Sequence, residues 1–212
     1  MLSGLVGKKF NCISRALDML CLFLGEDFNF VGTRGRKIYV AEYSIHFQTQ
    51  WRFRDDKDIL LASRDVYKPY CENVPEDWEY DLVGRSDELS SVFDVRSKEL
   101  MAKMQGTIVT EVHLSAVNDV TITFSNGVIF EQFMPASQKK EEWRLIDYIN
   151  DHRSYAMTRT VVFRTNRRKL ACHFAIFSFS NTDLFTNKSR CRLFARICFI
   201  IIFSLRAYAR LS

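Results

Sequence analysis

Between residues 38 and 54, apolar and polar side chains alternate with a period of two. Odd positions carry Tyr39, Ala41, Tyr43, Ile45, Phe47, Thr49, Trp51 and Phe53; even positions from 42 carry Glu42, Ser44, His46, Gln48, Gln50, Arg52 and Arg54. Successive side chains of an extended chain point to opposite faces, so this pattern predicts one antiparallel strand with a buried face and a solvated face. Asp55, Asp56, Lys57 and Asp58 supply a polar turn, after which 59–62 returns as a hairpin partner. Upstream, 8–14 reads as a strand, and 19–24 is an apolar run ending at Gly25, the length of a buried central strand. A helix over 14–24 is the competing reading. It would be apolar nearly all round and would need burial on every side, which suits a small domain poorly.

Residues 64–85 hold two of the three prolines, Trp78 and several acids without a sustained period, and read as an irregular excursion. Loops of that length often carry function. The spacing then predicts a helix over about 86–105. Ser86 is its cap, Asp87 and Glu88 lie in its first turn, and Leu89, Val92, Phe93, Leu100, Met101 and Met104 form its apolar stripe, with Gly106 after its end. Strands follow over 107–116 and 120–124, joined by a turn at Asn118 and Asp119. Ser125, Asn126 and Gly127 mark a second hairpin. A two-residue turn would set Glu131 opposite Ile122, whereas a three-residue loop with left-handed Gly127 sets Phe130 there; the latter keeps apolar faces together and is preferred. Residues 141–145, with Trp143, close the domain as a last edge strand. The expected class is α+β, mostly antiparallel sheet with one main helix.

Charge divides the chain near residue 150. Residues 1–150 hold 18 Lys or Arg against 23 Asp or Glu, and 151–212 hold 12 against 2. The formal net charge of +5 therefore sums two unlike parts, and nucleic acid is not an expected partner of the acidic part. All eight glycines and all three prolines lie at or before Pro135, while the tail carries eight of the 18 phenylalanines. That composition fits neither a flexible linker nor an ordinary disordered tail, so the tail need not belong to the fold. It also matches translation in a shifted frame or read-through of a stop. The apolar run 197–205, flanked by Arg196, Arg206 and Arg210, is too short to cross a bilayer as a helix, which takes about 20 residues. Contact with a membrane surface suits it better.

The six cysteines, at 12, 21, 71, 172, 191 and 198, form no Cys-x-x-Cys pair. They read as reduced and mostly buried, as in the cytosol. The run 16–24 is broken by Asp18 and does not make a signal peptide. Neither a cofactor nor a metal is expected: no phosphate-binding glycine loop, zinc-peptidase or calcium-loop spacing occurs. The pattern singles out the polar stripe His46, Gln48, Gln50, Arg52 and Arg54, joined by Asp65. Its side chains repeat every ~7 Å along an extended strand, a spacing that suits a carboxylate-bearing partner. An enzyme using a cluster of His46, Arg52 and Asp65 is the alternative. A solvated sheet face is the default. Trp51 belongs by parity to the apolar face as a core anchor.

The segments around His46 to Arg52, Asp65-Val66-Tyr67-Lys68-Pro69, Phe124-Ser125-Asn126-Gly127 and Glu142-Trp143-Arg144 together resemble a family of small bacterial proteins with no assigned activity. In that pattern a Cys-Pro pair precedes the first Trp-Arg, where this chain has Thr49 and Gln50. The resemblance covers about residues 5–147 and implies no reaction. Some proteins of this size act as immunity partners of toxins, and by that analogy the expected function is a non-catalytic cytosolic binding module for a protein such as a basic toxin.

Overall fold

The structure, a computed structural model, describes residues 2–31, 37–81, 89–135, 137 and 140–150, and the backbone of 152–157 and 160–166. It is α+β and mostly antiparallel sheet. A short 3-10 turn (Leu2–Leu5) leads into β1 (Phe10–Ala16), β2 (Met19–Val31), β3 (Lys37–Phe47), β4 (Gln50–Arg54) and β5 (Ile59–Ala62). A second 3-10 turn (Ser63–Tyr67) and the irregular excursion precede α1 (Val92–Met104). The chain then forms β6 (Val109–Leu114), β7 (Val120–Phe124), β8 (Ile129–Phe133), β9 (Glu141–Asp147), β10 (His152–Met157) and β11 (Thr160–Asn166).

Two sheets result, one in the order β1-β2-β3-β9-β10-β11 and the other β5-β4-β8-β7-β6. The stretch 38–54, expected as one strand, is divided between them. Ile45 and Phe47 on β3 and Trp51 and Phe53 on β4 all enter one core between the layers. The chain can bend from one sheet to the other without changing parity, because its concave side faces the core throughout. Gln48 and Thr49 make the transfer: the Gln48 amide still donates to Glu142 O of the first sheet at 2.8 Å, and the Thr49 hydroxyl donates to Phe133 O of the second at 2.7 Å.

Phe47 and Phe130 meet across the layers with ring centroids 4.7 Å apart, and Phe53 lies 4.9 Å from Phe130. Each such ring, fully buried, contributes about 1.5–3 kcal/mol relative to exposure. Trp51 packs edge-on to Phe93 of α1 at 6.0 Å, which seats the helix against the core. Trp143 is fully buried, and its indole N–H donates to Asn118 O at 3.0 Å, tying β9 to the β6–β7 turn. An isolated bridge between Lys9 and Ile108 joins the two sheets near β1 and β6.

The strand reading of 14–24 holds, and β2 runs beyond Gly25 to Val31 through a bulge between Leu24 and Asp27. Gly25 has φ +87°, and Glu42 occupies the space a side chain there would need. Ile122 pairs with Phe130, and Gly127 has φ +83°, as the three-residue loop requires. Three expectations are corrected. The helix starts at Val92 rather than near Ser86, because Ser91 is the cap: its Oγ accepts from the Asp94 amide while the Asp94 carboxylate accepts from the Ser91 amide. Ser86, Asp87 and Glu88 lie outside the described residues. Strand β9 is not an edge, since it pairs with β3 on one side and β10 on the other. The third correction, to the polar stripe, concerns the site.

Candidate functional site

The polar stripe does not form one surface. His46 has the parity opposite to Ile45 and Phe47, so it points away from the core on the six-stranded sheet; Arg52, flanked by inward Trp51 and Phe53, points away from the core on the five-stranded sheet. His46 is 7% exposed and shares a 2.8 Å hydrogen bond between its Nε2 and Ser44 Oγ, with Cys21 and Arg144 opposite it on the neighbouring strands. Gln48 is exposed at the transfer between sheets. Asp65 lies in the second 3-10 turn, where its carboxylate accepts from the Ala62 amide at 2.8 Å and closes that turn. The structure therefore does not bring His46, Arg52 and Asp65 together as a catalytic cluster. The stripe failed because a bent strand keeps its parity while the outward direction turns with the sheet.

What the fold does assemble is a polar patch on the outer face of the five-stranded sheet. Register places Gln50 opposite Phe133 and Arg52 opposite Glu131, and Glu131 in turn opposite Thr121. Glu131 bridges two arginines. Arg52 Nε donates to its Oε2 at 2.6 Å, Arg54 Nε donates to the same oxygen at 3.1 Å, and Arg54 Nη2 donates to Oε1 at 3.2 Å. Burial pushes the Glu131 carboxyl upward, but the hydrogen bonds from Arg54 and Arg52 outweigh it and hold the group below its ordinary value. The same bonding to Glu131 raises Arg54. Arg52 lies over the Phe133 ring, 5.3 Å from its centroid, and Phe133 is itself exposed.

The guanidinium of Arg52 is thus held on one edge and covered on one face, with its side chain 38% exposed. Among the described residues, no hydrogen bond engages its terminal nitrogens. A planar donor fixed in this way matches a carboxylate or a pair of carbonyl oxygens. Arg54 is more fully engaged, since Nη1 also donates to Asp55 O at 3.3 Å.

Glu131 and Phe133 were not among the residues the stripe singled out. The hairpin loop assigns their parity, but nothing in the sequence says that β8 pairs with β4. The acidic excursion is fastened elsewhere: Arg15 Nη2 donates to Tyr80 O at 2.7 Å, and the Trp78 indole N–H donates to Leu89 O at 3.0 Å. Its acids Glu72, Glu76, Asp77, Glu79 and Asp81 remain exposed.

The fold defines a two-sheet antiparallel α+β protein, and among the described residues no helix is long and apolar enough to cross a membrane. Compared with known protein families, with characterised proteins and with solved structures, the chain matches none.

Proposed function

We propose that the chain is a non-catalytic protein-binding module whose contact surface is the outer face of the five-stranded sheet, centred on Gln50, Arg52, Arg54, Glu131 and Phe133. The observation that carries this reading is the immobilised, half-exposed Arg52. Ordering a long side chain on binding costs about 0.5–1.5 kcal/mol, and Glu131 and Phe133 have already met that cost. Arginine beside an exposed aromatic ring is also the composition of an interface centre rather than of an average surface.

The exposed acids of the excursion supply long-range attraction toward a basic partner, and the arginine patch supplies short-range register. A toxin-like basic protein, neutralised as an immunity protein neutralises its target, fits both features and the resemblance to small bacterial proteins. The free thiol of Cys71 accords with a reducing, cytoplasmic setting.

The test is affinity capture from host extract at low and moderate salt, comparing the native chain with Arg52→Ala, Arg54→Ala and an exposed-helix control, Lys98→Ala. A protein retained by the native chain and the control but lost with the arginine variants is the expected result. Capture that is indifferent to Arg52 and Arg54, or no capture at either salt, would overturn the reading.

A further inference from the structure

Strands β1, β5 and β6 lie at the edges of their sheets. An edge presents backbone N–H and C=O groups that lack a strand partner, and folds ordinarily cover or guard such a row. β5 is short and lies against α1 and the second 3-10 turn. β1 also lies against α1, and its Phe10 amide donates to Thr107 O at 2.9 Å. Among the described residues, β6 is covered at its start and not beyond: the Val109 amide donates to Lys8 O at 2.9 Å, and Val109 O accepts from the Gly7 amide at 2.8 Å. Which later groups stay open follows from the turn. The Ser115 amide donates to Asp119 O at 2.9 Å, so Ser115 and, by alternation, His113 and Glu111 turn their backbone groups toward β7. Val112 and Leu114 turn theirs to the open side. Neither Lys nor Pro guards this stretch. Glu111 and His113 are exposed on the outer face, and Val112 and Leu114 are half-buried against the core. Val6, Ile108 and Val117, large apolar side chains exposed to water, stand at its two ends.

We propose that β6 pairs antiparallel with β6 of a second copy of the chain, with His113 on the two-fold axis. The register is fixed by which groups are open. Centring on His113 sets Val112 opposite Leu114 of the second copy and Leu114 opposite its Val112, and each pair exchanges both N–H···O bonds through the groups that face outward. Centring on Val112 would instead set Leu114 opposite Thr110, beside the bulge where β6 advances from Val109 to Glu111 against Phe124 and Thr123. The register on His113 also places Val112 against Leu114 on the core side, so two half-buried apolar residues complete their burial. Running the strands in opposite directions brings Val117 of one copy toward Val6 and Ile108 of the other. A second copy is favoured over an unrelated strand because one sequence supplies both halves of every contact. The pairing joins two five-stranded sheets with their outer faces on the same side. Three strand spacings separate β4 from β6 in each copy, so the two Arg52 patches stand about 33 Å apart on one bivalent surface.

The test uses the full chain. Sedimentation equilibrium should give twice the chain mass, and Arg52→Ala should dimerise as the native chain does, which separates this edge from the partner-binding face. Residues directly opposite in a non-hydrogen-bonded pair have Cα atoms about 4.5 Å apart, within disulfide range. His113→Cys treated with diamide should therefore yield two chains joined through the peptide that carries position 113, mapped by mass spectrometry. Glu111→Cys should yield no such self-link, because the register holds the two copies of position 111 about 14 Å apart. His113→Lys and His113→Glu each set like charges across the axis and should weaken self-association about fivefold, with thermal midpoints unchanged; an equimolar mixture of the two should restore it. A chain that sediments at a single mass would overturn the proposal. So would a self-link at position 111 as strong as at 113, or a dimer indifferent to both charge variants, since either would assign the contact to another surface.

Discussion

His46 and Arg52 stand six positions apart with the same parity, yet they lie on outer faces of different sheets. Each has its own partner, Ser44 for His46 and Glu131 for Arg52. Residues without shared partners act independently on stability. In a double-mutant cycle followed by urea denaturation, His46→Ala and Arg52→Ala should add to within about 0.5 kcal/mol. The Arg52–Glu131 cycle should instead show a coupling of about 1 kcal/mol, moderated because the arginine is partly in water. Strong coupling between His46 and Arg52 would contradict the two-sheet division.

Glu131 introduces a pH dependence of definite sign. Its carboxyl is held below the ordinary value of 4.5, so the stability contributed by its charged form is present above that pH and is lost as pH falls through the lower, folded-state value. Glu131→Gln should therefore cost about 1 kcal/mol at neutral pH and nothing in strong acid, where the native chain has already lost the interaction. Denaturation midpoints of the two proteins across an acid series would show the difference closing.

Glu142 carries the opposite sign. Burial raises its carboxyl above 4.5, so the fold favours the protonated form, and the native chain loses stability as pH rises through the folded value. Glu142→Gln should match the native chain in acid and exceed it in thermal midpoint at neutral pH. A variant less stable than the native chain at neutral pH would show that the Glu142 charge has a partner that rewards it.

Asp94 joins three parts of the molecule. Its carboxylate accepts from the Ser91 amide and hydroxyl at 3.0 and 2.7 Å, and from Arg15 Nε and Nη2 at 3.0 and 3.1 Å. Asp94→Ala removes the carboxylate half of the capping pair and strands a mostly buried Arg15 guanidinium, so about 3 kcal/mol of destabilisation is expected in urea titrations. Ser91→Ala, which leaves the Arg15 pair in place, should cost only about 1 kcal/mol.

Two glycines separate backbone strain from steric conflict. Gly127 and Gly25 both have positive φ, but a Cβ on Gly127 would meet nothing within 4 Å, whereas one on Gly25 would lie 2.7 Å from Glu42 Cβ. Gly127→Ala should therefore cost about 1 kcal/mol, the price of the left-handed conformation alone. Gly25→Ala should cost more, and it should also disturb the 2.7 Å Lys8–Glu42 ion pair. Equal thermal midpoints for the two variants would contradict this difference.

Much of the local architecture was legible in the residues. The preference for apolar faces set Phe130 against Ile122, and Gly127 could adopt the left-handed turn that this register demands. The Trp51 and Phe53 parity placed both in the core, and Gly106, with φ +78°, marked the end of the helix. The start of the helix was less legible, because Ser86 is followed directly by Asp87 and Glu88, whereas Ser91 has Asp94 three residues on. Only the reciprocal bonds of Ser91 and Asp94, reinforced by Arg15 from a distant strand, select the second.

The candidate site was legible only in half. Periodicity alone determined which side chains of 43–54 turn inward and which turn outward, since alternation is a local property of extended backbone; upstream it fails, because Tyr39 is exposed and Ala41 belongs to a second cluster. Where outward leads was decided by tertiary structure: the bend at Gln48 and Thr49 sends His46 to one layer and Arg52 to another, and the pairing of β4 with β8 delivers Glu131 and Phe133 to the arginines. Alternation survives a bend because each residue is oriented by its immediate neighbours. Sheet membership depends on hydrogen bonds to strands some eighty residues away, and those partners leave no mark on the local pattern.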